Sequence, residues 1–237
     1  MADPTPSRKV YAQDALAWLD QHMPLVGASI VTSLPDVSEL RALDLAAWQD
    51  WFVTAAEKCA LATDPHGIAV FYQTDAKING RWVDKSALVH RGVARTALVP
   101  VFHWIVLRGG DLKRGGSRAQ YSHLLGFSQH ALLNLALGLP DVIADAGPTT
   151  WTRGMGLYAC ETACNAVQKL TPTRTIVDPF CGHGSVLAVA NAMGLDAVGV
   201  ELGQRRAQRA RNLTHSALAL GEPRREKLSA SDPATSP

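Results

Sequence analysis

The sequence predicts an α/β fold built as a single seven-stranded mixed sheet with helices on both faces. Two observations carry that expectation. Residues 175–201, TIVDPFCGHGSVLAVANAMGLDAVGVE, read as a strand, a glycine loop, a helix and a second strand, and apolar or β-branched runs around Val10, Ile30, Val70, Val101 and Leu124 supply five strands upstream. A chain of 237 residues has room for one such unit with a sizeable core and too little for two.

Within residues 175–201, Thr175-Ile176-Val177 is β-branched and apolar, Asp178-Pro179 ends it, and Gly182-His183-Gly184 permits a tight turn. Residues 185–193 are rich in Ala, Val and Leu, Gly194 closes that helix, and residues 196–200 read as a buried parallel strand leading to Glu201. A glycine turn at a strand's carboxyl end, then a helix, then an acid after the next strand, suits a nucleoside. Backbone N–H groups meet its polar tail and the acid accepts ribose hydroxyls. A dehydrogenase would more usually carry GxGxxG, whereas Asp178-Pro179-Phe180 precedes the glycines here and Val186 stands at the third glycine position.

The run Asp178-Pro179-Phe180-Cys181-Gly182-His183-Gly184-Ser185, with Gly199-Val200-Glu201 downstream, resembles the S-adenosylmethionine loop of Rossmann-like methyltransferases that modify nucleic acids, in particular the amino-methylating type. The resemblance implies S-adenosylmethionine as cofactor, held by Asp178, Pro179, Phe180, Cys181, Gly182, Gly184, Ser185 and Glu201. With the glycine loop late in the chain, the strand order is similar to the β class of these enzymes, whose sheet is cyclically reordered so that the substrate half comes first.

Upstream, residues 9–12 form a brief strand and Asp14 precedes the helical pattern Ala15, Leu16, Trp18, Leu19. Asp14 has two compatible roles, capping that helix and, by the resemblance, hydrogen-bonding the adenine or ribose of the cofactor. Residues 28–32 are a buried strand running into Ser33-Leu34-Pro35-Asp36 at its carboxyl edge, where open α/β sheets place ligands. The enzymes resembled carry Ser, Asn or Asp here, then Pro-Pro and an aromatic. In them the polar side chain and a following carbonyl accept hydrogen bonds from an exocyclic amino group while the aromatic stacks on the base. The resemblance therefore implies an acceptor site at Ser33, Leu34, Pro35 and Asp36, with Leu34 replacing the first proline and Asp36 replacing the aromatic. Asp36 has two open readings: a general base or guanine-edge ligand, or the first residue of a capping box with Glu39.

Residues 44–62 form an amphipathic helix with Trp48, Trp51 and Phe52 in the core, residues 67–73 a strand, residues 74–81 a polar loop and residues 86–96 a helix. Residues 97–107 and 121–128 then read as an antiparallel hairpin. Lys77, Arg81, Arg108, Lys113, Arg114 and Arg118 lie in two loops expected on the catalytic face, where they would bind phosphate, with Tyr72 and Tyr121 as stacking surfaces. The bland alternative is a solvated hairpin. Residues 140–150 read as surface loop, residues 157–170 as a helix, and residues 152–156 fall where the family resembled cradles the cofactor's amino-acid end. Residues 204–215 are an Arg-rich helix read as a solvated face.

A formal charge of +2 neither demands nor excludes nucleic acid. Cys59, Cys160, Cys164 and Cys181 form no CxxC pair, so no metal is expected and reduced thiols in the cytoplasm are the default. No apolar run approaches membrane-spanning length. Residues 1–8 are expected to be a flexible start, 9–220 the methyltransferase domain and 221–237 a disordered tail.

The function implied is S-adenosylmethionine-dependent methylation of a nucleic-acid base. RNA is favoured over DNA, because no separate DNA-reading domain fits in the length and the acceptor tetrad is atypical. The alternatives are a small-molecule or protein acceptor, and a catalytically silent module of the same fold serving a partner protein. The sequence leaves the oligomeric state open.

Overall fold

A computed structural model describes residues 5–109, 119–130, 138, 140–151 and 153–220. The elements in chain order are β1 (Arg8–Tyr11), α1 (Ala15–His22), β2 (Ala28–Thr32), α2 (Leu45–Ala62), β3 (Ala69–Gln73), β4 (Ala76–Ile78), β5 (Arg81–Val83), α3 (Lys85–Val93), β6 (Val99–Leu107), β7 (Tyr121–Ser128), β8 (Val142–Ile143), α4 (Leu157–Leu170), β9 (Thr175–Asp178), α5 (Ser185–Ala192), β10 (Asp196–Val200), α6 (Gln204–Asn212) and α7 (His215–Leu220). Eight strands form one sheet in the order β1-β10-β9-β2-β3-β7-β6-β8. Neighbours pair in parallel except at β7, which runs antiparallel to both β3 and β6.

All seven strands expected from sequence are present, and two corrections follow. β8 lies in residues 140–150, read above as surface loop, and makes the sheet eight-stranded; the supposed polar loop at 74–81 contains most of the β4–β5 hairpin. Strands of two or three residues are too short to display an alternating pattern, so only the structure could reveal them.

The sheet separates two cores. Ile30, Phe71 and Val177 face α1, α2 and α3, where Trp48 and Phe52 are fully buried, while Val31, Val70 and Ile176 face α4, α5 and α7. Because both faces are covered, β2 and β3 are buried along their whole length, and their polar members Ser29, Thr32 and Gln73 are buried with the apolar ones. A buried Phe such as Phe52 contributes about 1.5–3 kcal/mol by leaving water.

Helix starts divide into two kinds. α1, α2 and α3 are capped by Asp14, Asp44 and Asp84, each accepting from the N–H three residues on, whereas α4, α5 and α6 begin at Gly156, Gly184 and Gly203 with no side-chain cap. Ser7 and Arg8, expected in the flexible start, are held instead. Ser7 donates backbone and hydroxyl hydrogens to Asp196, and the Arg8 guanidinium reaches Asn191 and the carbonyls of Ala210 and Leu213. Such long-range polar ties leave no periodic trace in sequence.

Candidate functional site

The two motifs that are far apart in sequence meet because β2 and β9 are parallel neighbours. At their carboxyl ends the Thr32 hydroxyl donates to Asp178 Oδ1 at 2.6 Å, and the Phe180 N–H donates to the same oxygen at 3.1 Å. Burial pushes the Asp178 carboxyl up to about 7, against the two hydrogen bonds, and the charge of Glu201 adds to the rise. Asp178 thus sits poised between charged and neutral near neutral pH.

Beside it opens a cavity of about 190 Å³ whose wall includes Asp14, Asp178 through His183, Ser185 and Glu201. Of the sequence-predicted cofactor residues, only Gly184 is outside that lining; its φ of +86° shapes the turn from behind, and it packs on Ala210. Asp14 caps α1 and also lines the cavity. Glu201 Oε1 accepts from the Gly203 N–H at 2.7 Å and pairs with Arg206 at 2.8 Å. Arg206 in turn lies 5.9 Å from the Trp151 ring, which stacks on His183 at 5.2 Å. Arg153, Gly154 and Met155 complete this side, in the stretch expected to cradle a ligand, while Thr152 lies outside the described residues. Residues flanking the starts of α4, α5 and α6 contribute to the lining; the first N–H groups of α4 are taken by the carbonyls of Pro148 and Ala146, and the Gly203 N–H by Glu201.

A second cavity, of about 370 Å³, adjoins the first. Ser33, Leu34, Glu39, Arg153 and Gly154 line both and so form the partition between them. Pro35 lines the first cavity and its carbonyl accepts from Trp48 Nε1 at 3.2 Å; Asp36 lines the second. The capping-box bonds of Asp36 form, with Ser38 N–H on Asp36 Oδ1 and Asp36 N–H on Glu39 Oε1, yet they close one turn at 37–39 and no helix follows. The other carboxylate oxygen of Asp36 pairs with the buried Lys85 ammonium at 2.6 Å. Burial works against the charge on Asp36, but Lys85 and the Ser38 hydrogen bonds outweigh it and hold its pKa below the usual carboxylate value.

Lys77 and Arg108 line the second cavity alongside Tyr72. Arg81 is exposed at the start of β5 and is not part of the lining, while Lys113, Arg114 and Arg118 lie outside the described residues. The four cysteines are buried thiols, and burial raises the pKa of each. Among the described residues, one group offers clustered metal-type ligands, Asp75, Asp84 and His123. Its atoms are already engaged: Asp75 accepts from His123, Trp82 and the Lys85 N–H, and Asp84 caps α3.

No protein-family model matches the chain, and no curated protein matches it in sequence. Solved structures do match. A protein of Thermus thermophilus described as a candidate DNA modification methylase aligns over 86% of this chain and 92% of its own, with a TM-score of 0.67 at 18% identity. The cytosine-N4-specific DNA methyltransferase PvuII aligns over 90% of each chain, with a TM-score of 0.69 at 14% identity. The S-adenosylmethionine complex of M1.HpyAVI aligns over 87% of this chain and all of its own, with a TM-score of 0.58 at 13% identity.

The chain has the Rossmann-like methyltransferase fold.

On this methyltransferase fold, sequence reasoning missed Lys85, Trp151 and Arg206. Lys85 carried one faint signal, a lysine directly after the capping Asp84. Arg206 was hidden among the arginines of α6, most of whose neighbours are exposed as expected. Trp151 lies just before the stretch 152–156 and stands in none of the motifs the sequence offers. None of the three could be paired with its partner from local pattern, because Asp36 and Lys85 are 49 residues apart and Trp151 and Arg206 belong to segments on either side of β9 and β10 in the chain.

Proposed function

We propose that the chain is an S-adenosylmethionine-dependent methyltransferase acting on an amino-bearing base of a nucleic acid. The observation that supports this most directly is the shared wall of Ser33 and Leu34. A donor in the first cavity and an acceptor in the second would meet there, at the carboxyl end of β2.

The residues present fit the cofactor. Asp14 and Glu201 offer carboxylates to hydroxyl groups, Asp178 offers a buried acid to a cationic ligand, and Phe180, Val186 and Trp151 offer apolar surface to a purine ring. When bound, the cofactor supplies an electrophilic sulfonium methyl. The protein's part is alignment and exclusion of water. Ser33 Oγ and the Leu34 carbonyl would accept hydrogen bonds from the acceptor's amino group and orient its lone pair, Pro35 would fix that backbone, and Trp48 would hold Pro35 in place. Asp36, paired with Lys85 and depressed in pKa, is better suited to gripping the edge of the acceptor than to removing its proton.

Lys77, Arg81 and Arg108, with Lys113, Arg114 and Arg118, would meet phosphates. Length no longer argues for RNA. The DNA methylases compared have little chain beyond the part that aligns here, 92% and 90% of each being covered. DNA is therefore the first acceptor to try, with RNA second.

Calorimetric titration of the full chain with S-adenosylmethionine, followed by methyl transfer from labelled cofactor to DNA, RNA and small amines, tests the reading. Micromolar binding with label in nucleic acid is expected. Label found only in small molecules or protein would reassign the acceptor, and absence of binding at millimolar cofactor would leave the silent-module reading standing.

A further inference from the structure

The β4–β5 hairpin supplies Lys77 and Arg81 to the function above, and it carries one further side chain that the function leaves unused, Trp82. Among the tryptophans, all of which lie in the described residues, Trp82 alone is exposed, at 48%. Its ring is not free to turn, since Nε1–H donates to Asp75 Oδ2 at 3.1 Å. Asp75 is itself anchored, its side chain 2% exposed and bonded also by His123 Nε2 and the Lys85 N–H. An exposed indole held rigidly by a buried carboxylate loses little conformational entropy when a partner covers it.

The hairpin geometry says which way the ring faces. Lys77 and Trp82 are directly opposed across the two strands, so their side chains leave the same face, and Lys77 Nζ lies 5.3 Å from the Trp82 ring. Lys77 also lines the second cavity. Trp82 therefore stands at the rim of the proposed acceptor cavity, one step outside it. Exposed Arg81 sits next to it, beside the Asn79-Gly80 turn, whose φ angles of 50° and 75° give a tight reversal.

We infer that this hairpin is a strand-binding element. Trp82 stacks on an unpaired base next to the one in the acceptor cavity, and Lys77 and Arg81 take the flanking phosphates. A flat ring beside cations, at the mouth of a base-sized cavity, is the combination that single-stranded nucleic acid recognises: every base has a π face, and its backbone carries negative charge. The inference rests on the nucleic-acid reading above.

The test is fluorescence anisotropy of a labelled mixed-sequence single-stranded DNA 20-mer, and of its RNA counterpart, with the full chain in the presence of S-adenosylhomocysteine. Trp82→Ala is expected to weaken binding about tenfold or more while Trp82→Phe stays within about threefold of wild type. Lys77→Gln and Arg81→Gln should each lower the salt dependence by about one counterion. Cofactor affinity, measured separately by calorimetry, should be unchanged in all four. Wild-type affinity in Trp82→Ala, or equal losses in Trp82→Ala and Trp82→Phe, would overturn the stacking role. A wild-type chain that binds cofactor and neither oligonucleotide would overturn the nucleic-acid reading and this inference with it. Whichever oligonucleotide shows the larger Trp82 effect identifies the strand.

Discussion

Lys85 Nζ lies 2.6 Å from Asp36 Oδ2, with the lysine side chain 5% exposed and the aspartate 32% exposed. The lysine is therefore the partner with most to lose. Asp36→Asn would leave a buried ammonium short of its counter-ion and is expected to cost about 1–3 kcal/mol in urea unfolding. A double change, Asp36→Leu with Lys85→Met, should recover much of that loss, because two apolar groups leave no charge stranded. With its pKa depressed in the folded chain, Asp36 contributes stability above the ordinary carboxylate pKa and loses it only as the pH falls below that range.

Asp178 has the opposite sign. In the folded chain it holds its proton up to about 7, whereas the ordinary value is 3.8. Folding takes up a proton between those limits, so the Asp178 contribution declines as the pH rises from about 4 to about 7 and is level beyond. Urea unfolding of wild type and Asp178→Asn across that window should show a difference that grows with pH by about 2–4 kcal/mol in favour of the variant. An unchanging difference would refute the shifted carboxyl. Cofactor affinity should rise as the pH passes through about 7 in wild type, as the acid gains the charge that a cation prefers, and that rise should shrink in Asp178→Asn.

Glu201 and Arg206 predict contrasting binding effects. Glu201→Ala removes a carboxylate from the wall of the first cavity and, on the proposed reading, is expected to weaken S-adenosylmethionine about tenfold to a hundredfold by calorimetry. Arg206→Ala frees the same carboxylate oxygen from its ion pair, and binding should hold or tighten. Equal losses in both would mean that Arg206 is itself a cofactor ligand.

The glycine loop offers a third contrast. Gly184 has φ of +86° and a Cβ there would stand 2.8 Å from the Ala210 backbone, so Gly184→Ala should lower folding stability by about 1–3 kcal/mol. Gly182, at φ of +54°, has only the Trp151 ring at 3.8 Å, and Gly182→Ala should cost about 1 kcal/mol or less in stability while weakening cofactor binding. Melting curves read beside calorimetry separate the two.

Where local chemistry determined structure, the sequence was legible. β-branched runs became strands, Asp14 became a cap, and Tyr121–Ser128 and Leu157–Leu170 carry the expected bounds. That the residues from Asp178 to Glu201 would share one cavity was legible because one βαβ unit fixes them relative to one another. The second cavity was less legible. Its wall draws Asp36, Tyr72 and Lys85 from three separate elements, and which of them touch depends on sheet order, which no local period encodes. At Asp36 the capping-box bond from its N–H to Glu39 forms, but the chain makes one turn at 37–39 with no helix after it, and the pairing of the other carboxylate oxygen with Lys85 leaves no local signal.

The pairing of β1 with β10 joins residues some 189 positions apart. During synthesis, β1 leaves the ribosome long before the strand it pairs with exists, and β2 waits for β9 with one edge bare. A nascent chain of this topology therefore presents an unpaired apolar strand edge until its glycine-loop unit emerges, and halting translation before residue 175 would leave a species prone to aggregate. The segment that brings β9 to the sheet also completes the first cavity, so a ligand of that cavity can bind only a chain in which β9 has already joined β2.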